Sequence, residues 1–108
     1  MNRDNPELLP FTIPAEPLGE FCRRWKIARL EMFGSALRDD FTPESDVDFL
    51  YTFAPDAHWG WRFFDASDEL SQIVGRPVDL VSRSGIERSA NRNRRHAILS
   101  SARVVYAA

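Results

Sequence analysis

Residues 33–51 read FGSALRDDFTPESDVDFLY. The pair Gly34-Ser35 follows the strand-like run Ile27–Phe33, and after ten intervening residues the segment Asp46-Val47-Asp48 opens a second apolar run. Four fixed residue types at this spacing should occur by chance in about one sequence of this length in a thousand. The spacing therefore indicates a functional site rather than an ordinary turn.

The two aspartates of this stretch are predicted to share one face of a strand, because side chains alternate between faces. Asp46 and Asp48 then repel each other unless they are exposed or a cation lies between them. Their oxygens suit Mg²⁺, which also takes phosphate ligands. Asp79, between two apolar residues of a later strand, either completes a two-metal site with them or caps a turn or pairs with Arg76.

The Gly-Ser turn suits a phosphate group. Gly34 lets the backbone approach a ligand closely. The hydroxyl of Ser35 can donate to a phosphate oxygen, and a short helix starting here, through Arg38, would present free N–H groups to it. The turn alone is weak evidence for a phosphate-binding site. Its sequence distance from the two aspartates strengthens this evidence.

Hydrophobic spacing predicts alternating helices and strands along the rest of the chain. The first helix has one apolar face, formed by Leu18, Phe21, Cys22 and Trp25. The later elements are predicted as strands at 27–33 and 45–53, a helix at 59–74, a strand at 77–82, a helix at 90–101 and a short strand at 104–106. This order predicts an α/β domain with helices packed on a sheet.

The composition of the chain limits the classes of protein to which it can belong. The chain has 108 residues, 44% of them hydrophobic, which is enough for one domain with a core. Four prolines among the first 17 residues predict an extended arm over residues 1–16, before a domain at 17–108. No apolar run is long enough for a membrane span or a secretory leader. The single cysteine, Cys22, excludes an internal disulfide and favours a cytoplasmic setting.

Charge is unevenly distributed along the chain. Residues 1–82 hold 15 acidic and 8 basic residues, a net −7, whereas residues 83–108 hold six arginines and one glutamate, a net +5. The cluster Arg92, Arg94 and Arg95 either contacts phosphates or an acidic partner, or forms the solvated face of a helix.

Residues 33–41 together with residues 45–48 resemble the signature of the DNA-polymerase-β-type nucleotidyltransferase superfamily. The small size resembles its minimal nucleotidyltransferase (MNT) branch, which includes MntA-like antitoxins of HEPN/MNT toxin–antitoxin pairs. The resemblance covers the chain from about Leu18 to its end. It implies a polymerase-β-like α/β (α+β) fold, with a mixed sheet of about four strands and helices packed on it.

The resemblance also implies roles for individual residues. Asp46, Asp48 and Asp79 match the catalytic carboxylates that bind Mg²⁺, with two ions expected. The positions that match the nucleotide-binding part of the family pattern are Gly34, Ser35, Arg38 and Ser45. The implied reaction transfers AMP from ATP to an acceptor hydroxyl.

The resemblance leaves three functions open. In the first, the acceptor hydroxyl belongs to a partner protein such as a HEPN toxin, and the chain acts as an antitoxin. In the second, the chain is a catalytically weak scaffold that neutralises the toxin by binding alone. In the third, the acceptor is an RNA or a small molecule. The third ranks last, because basic and aromatic residues are not interleaved as in a known RNA-binding module.

Overall fold

A four-stranded sheet with helices on both faces forms the protein in this computed structural model, which describes residues 13–34, 46–55 and 62–108. The elements, in chain order, are α1 (Ala15–Arg24), β1 (Ile27–Phe33), β2 (Val47–Phe53), α2 (Phe63–Val74), β3 (Val78–Ser82), α3 (Arg83–Glu87), α4 (Arg92–Ser101) and β4 (Arg103–Ala107). The strand order is β3-β2-β1-β4. Strands β2 and β3 are parallel, and β1 is antiparallel to both β2 and β4, so the sheet is mixed, as expected.

Helices α1 and α2 cover one face of the sheet. The buried residues on this side, called the α1–α2 core, are Leu18, Phe21, Cys22, Trp25, Ile27, Leu30, Met32, Val47, Phe49, Ala66, Leu70 and Leu80. The apolar face predicted for the first helix is thus confirmed. Cys22, on that face, is fully buried in this core. Burial raises the pKa of its thiol to about 12, against a smaller lowering by Arg23.

Helices α3 and α4 cover the other face with fewer residues. The α3–α4 cluster consists of Phe33, Leu50, Ile86 and Ile98. Phe49 and Leu50 are adjacent in β2 and belong to different clusters, which shows directly that the two faces alternate along this strand.

Several boundaries differ from the sequence prediction. β2 begins at Val47 rather than at residue 45, and β4 spans five residues rather than three. α1 begins at Ala15 and holds Pro17 in its first turn, where proline is tolerated. The start of the helix predicted at 59–74 lies partly outside the described residues, and α2 is described from Phe63.

Helix α3 is an element that the sequence prediction missed. Ser82 caps it, since its hydroxyl accepts a hydrogen bond from the backbone N–H of Gly85 at 3.2 Å. The helix is only five residues long and buries Ile86, so its spacing is too short to give a periodic signal.

Across the three described ranges, every helix is too short or too polar to cross a lipid bilayer.

Candidate active site

Two of the predicted site carboxylates face each other across neighbouring strands. Asp48 on β2 pairs with Asp79 on β3 in the parallel register. Strands in a sheet lie about 4.8 Å apart, and residues paired in register share a face. Val78 and Leu80, which flank Asp79, pack with the α1–α2 core. Asp79 therefore points to the opposite face, as the alternation predicted, and it is exposed there.

The third predicted carboxylate stands just before its strand. Asp46 is exposed and precedes β2 by one residue. The backbone N–H of Val47 donates to the carbonyl of Pro77 at 2.9 Å, which fixes the beginning of β2 against the residue before β3. Alternation continued one residue back from Val47 puts Asp46 on the side of Asp48. The carboxylates thus come from the first residues of two parallel strands.

Gly34 lies under the carboxylate of Asp48. Phe33, the last residue of β1, pairs with Asp48. Gly34 then turns the chain with a φ of 78°, a left-handed value that favours glycine. A Cβ atom added here would lie 2.5 Å from Oδ2 of Asp48. Any side chain at this position would displace that carboxylate, so the glycine of the Gly-Ser pair and the second aspartate of Asp-x-Asp form one unit.

The remaining nucleotide-binding predictions concern residues outside the described ranges. Ser35, Arg38 and Ser45 all lie between residues 35 and 45, which the structure does not describe. Their roles stay predictions.

The side chains that could hold a metal in the candidate site are of the chemical type that binds Mg²⁺, since all of them are carboxylates. Within the described ranges, no three or more His, Cys, Asp or Glu side chains lie close enough to hold one ion together. The paired carboxylates of Asp48 and Asp79 are nevertheless oxygen donors on one face, near the exposed carboxylate of Asp46. Protein sites for Mg²⁺ commonly use one or two carboxylates and complete the shell with water and substrate phosphates.

A buried ion pair on the same face was not predicted from the sequence. Glu31 on β1 is only 3% exposed, and Arg83 Nη1 donates to its Oε1 at 2.6 Å. Arg83 Nε also donates to Glu87 Oε2 at 3.0 Å. Burial acts to lower the pKa of Arg83, but its hydrogen bonds to the two glutamates outweigh this and raise it. The pair ties β1 to the start of α3 across β2.

No sequence signal marks Glu31 as buried. It alternates with Leu30 and Met32 in β1, which predicts a solvated position. Among the described elements, α3 and α4 cover this face of the sheet, and Glu31 is buried beneath them. Arg83 stands 52 residues away in the chain, so the pairing depends on the fold rather than on local spacing.

Comparison with known proteins gives a family match over most of the chain. Residues 16–105 match the sequence profile of a family described as "Nucleotidyltransferase domain". Two relatives from Methanocaldococcus jannaschii, each named "Putative protein adenylyltransferase", are 34% and 28% identical over 64 residues. These alignments cover 59% and 58% of this chain and 64% of each relative, so the match spans less than two thirds of their length.

Solved structures show the same fold. A structure of a "putative minimal nucleotidyltransferase" aligns with a TM-score of 0.60 and 28% identity, covering 82% of this chain and 85% of that one. A toxin–antitoxin crystal structure with AMP-PNP aligns with a TM-score of 0.62 and 18% identity, covering 89% of this chain and 75% of that one. The second likeness concerns the fold alone.

Proposed function

Since the chain belongs to the nucleotidyltransferase domain family, we propose that it transfers AMP from ATP to a hydroxyl group of a partner protein. The names of the two Methanocaldococcus jannaschii relatives, protein adenylyltransferases, support a protein acceptor. The structural neighbour with AMP-PNP, an analogue of ATP, supports the choice of nucleotide. A cytoplasmic setting, where ATP and Mg²⁺ are available, is part of the proposal.

The observation that best supports the proposal is that the two parts of the sequence pattern, the Gly-Ser turn and the Asp-x-Asp segment, lie next to each other in the structure. Asp48 stands over Gly34 and opposite Asp79. A triphosphate held at the Gly-Ser turn would therefore lie beside both carboxylates.

The reaction forms one bond to the α-phosphorus and breaks another, and the acceptor hydroxyl loses its proton. The acceptor oxygen attacks the α-phosphorus of ATP, the bond from this phosphorus to the bridging oxygen of pyrophosphate breaks, and pyrophosphate leaves with its electron pair. In the proposal Asp79 accepts the proton that the acceptor hydroxyl loses, and its exposure and its pairing with Asp48 support this role. Such chemistry depends on positioning and charge neutralisation.

Each predicted residue has a part in the proposed site. Mg²⁺, when bound, would neutralise phosphate charge, and Asp46, Asp48 and Asp79 would share two such ions between them rather than surround a single one. The residues to bind the triphosphate are Gly34, Ser35, Arg38 and Ser45.

The partner in the proposal is a HEPN-domain toxin, with the chain as its antitoxin. Toxin–antitoxin complexes among the structural neighbours support this choice through the shared fold. A stable complex with the toxin would also place the acceptor, because the complex itself would position the hydroxyl group at the site.

Label transfer from α-labelled ATP with Mg²⁺, in lysate of the source cell, tests the proposal. We expect the wild type to label a protein band and the Asp46→Asn/Asp48→Asn variant to lose about 100-fold or more of this labelling. The matched control is Asp65→Asn/Asp68→Asn, which removes two exposed carboxylates from α2 on the other side of the sheet.

Two results would contradict the proposal. Equal labelling by the wild type and the Asp46→Asn/Asp48→Asn variant would exclude this site. If neither the wild type nor the Asp46→Asn/Asp48→Asn variant labels a protein band, but both still neutralise a co-expressed toxin, then the chain is a scaffold that acts by binding and not an enzyme.

A further inference from the structure

Helix α4 carries a charge pattern that its own stability does not explain. Its first turn holds Arg92, Arg94 and Arg95, and the helix has no acidic residue. Helix N-termini carry partial positive charge, so cations there are destabilising. The helix buries only Ile98, and Asn91 caps it by accepting from the backbone N–H of Arg94 at 3.0 Å. The arginines thus add repulsion to a helix that is held by few apolar contacts.

Two arginines and a histidine line an open pocket along one face of this helix. The pocket has a volume of about 570 Å³, and its described lining residues are Arg92, Arg95, His96, Leu99 and Ser100. These positions recur on successive turns. Arg92 and His96 are exposed, whereas Arg95 is half-buried and its Nη1 donates to the carbonyl of Ser89 at 2.9 Å. The pocket therefore combines one fixed guanidinium, that of Arg95, with an exposed guanidinium and an exposed imidazole.

The lining chemistry matches carboxylates better than nucleic acid. Among the described lining residues there is no aromatic ring on which a base could stack. Leu99 adds an apolar surface, and it packs against the α3–α4 cluster. Arginine binds carboxylates through paired, charge-assisted hydrogen bonds. Arg92 and His96 stand one helical turn apart, which matches two carboxylates three or four residues apart on a second helix.

We propose that the α4 face formed by Arg92, Arg95, His96 and Leu99 docks an acidic helix of the acceptor protein. The docked helix carries carboxylates one turn apart and an apolar side chain between them that covers Leu99. This inference rests on the proposed function, because it assumes a protein acceptor, and it specifies the surface by which that acceptor is recognised.

The position of α4 in the fold supports this role. Ile98 of α4 packs with Phe33 and Leu50, and Phe33 pairs with Asp48. Docking on α4 therefore brings the acceptor to the side of the sheet that carries the site carboxylates. Residues 1–82 have a net charge of −7 and repel an acidic partner, so the charge pattern also sets its orientation.

Fluorescence anisotropy with two labelled alanine-rich helical peptides of identical composition tests the docking surface. One peptide has its glutamates four residues apart on one face with a leucine between them, and the other spreads the same residues around the helix. We expect the one-face peptide to bind about tenfold more tightly at low salt, and this preference to shrink as salt is added.

Two matched variants locate the binding. Arg92→Glu should weaken binding of the one-face peptide about tenfold or more. Arg94→Glu makes the same charge change at another exposed residue of the first turn, outside the pocket lining, and should weaken it less than about threefold. Circular dichroism and thermal unfolding of both variants establish that the fold is retained.

Three outcomes would overturn the inference: equal binding of the two peptides, equal losses in the two variants, or tighter binding of a single-stranded RNA of the same charge. The anisotropy measurement needs no ATP, so its failure is distinguishable from failure of AMP transfer. Peptide binding without any label transfer would refute the proposed reaction and leave the docking surface in place.

Discussion

The two faces of the sheet are built differently. Among the described residues, the α1–α2 core is a continuous set of twelve buried residues. The α3–α4 cluster contains four buried residues, and the same face holds the buried pair of Glu31 with Arg83 and the carboxylates of Asp48 and Asp79. The first face supplies most of the apolar burial, and the second presents the charged groups.

This difference teaches where the chain can change without losing its fold. Apolar burial stabilises a domain roughly in proportion to its area, whereas a buried ion pair contributes little net stability. Changes on the α1–α2 side should therefore act mainly on the free energy of unfolding. Changes at the site carboxylates should act mainly on chemistry.

The largest effect is expected from the same truncation on each face. Leu30 belongs to the α1–α2 core and Leu50 to the α3–α4 cluster, and both are fully buried. We expect Leu30→Ala to lower the free energy of unfolding by about 4 kcal/mol and Leu50→Ala by about 2–3 kcal/mol. Denaturant unfolding measures both. A cost for Leu50→Ala equal to or above that for Leu30→Ala would remove the distinction between the faces.

An intermediate effect is expected from two glycines with the same backbone conformation. Gly34 and Gly75 have φ values of 78° and 75°. A Cβ atom at Gly34 would meet Asp48, whereas one at Gly75 would meet nothing within 4 Å. Each Gly→Ala change should therefore cost about 1–2 kcal/mol of stability. Of the two changes, Gly34→Ala alone should also lower label transfer, by about 100-fold, because it displaces the carboxylate of Asp48, which is part of the proposed site.

The glycine comparison separates backbone strain from damage to the site. Unfolding midpoints report the strain, which the two variants share, and the transfer assay reports the site. Equal transfer by Gly34→Ala and Gly75→Ala would show that the position of Asp48 over Gly34 does not matter for the reaction.

The smallest effect is expected at the rim of the α1–α2 core. Arg24 forms an ion pair with Glu69, and Nε1 of Trp25 donates to Glu69 Oε1 at 3.0 Å. The hydrogen bond from Arg24 is the main cause that lowers the pKa of Glu69 below its ordinary value of 4.5, with Trp25 contributing and burial opposing. Because the pKa of Glu69 is lower in the folded protein than in the unfolded chain, the stabilisation that its ionised carboxylate provides is complete above pH 4.5. This stabilisation is lost as the pH falls through the folded pKa of Glu69.

Glu69→Gln tests this linkage. The amide can still accept from Trp25 but carries no charge, so we expect the variant to be less stable at pH 7 by under about 1 kcal/mol. The difference from the wild type should shrink as the pH falls below 4.5. Thermal unfolding from pH 7 to pH 3 measures it, and a difference that grows in acid would contradict the sign.

Local patterns were enough to predict part of this structure. β1 has the predicted bounds, because Leu30 and Met32 alternate with Glu31 and Gly34 follows the last strand residue. The register shift between Ile27 and Arg29 is not apparent from this alternation. The direction of Asp79 followed from its apolar neighbours. The register that places Asp48 opposite Asp79 joins strands that are distant in sequence, so no local pattern contains it. Helix α3 was missed because packing, rather than helix propensity, holds five residues in a helix.

Cys22 gives the α1–α2 side a built-in kinetic reporter. Thiol reagents react with the thiolate, and the native thiol is fully buried with a pKa of about 12. Labelling therefore requires α1 to leave the sheet. Since the chain has one cysteine, the rate at which this thiol is labelled measures how fast α1 leaves the sheet, without any engineered probe.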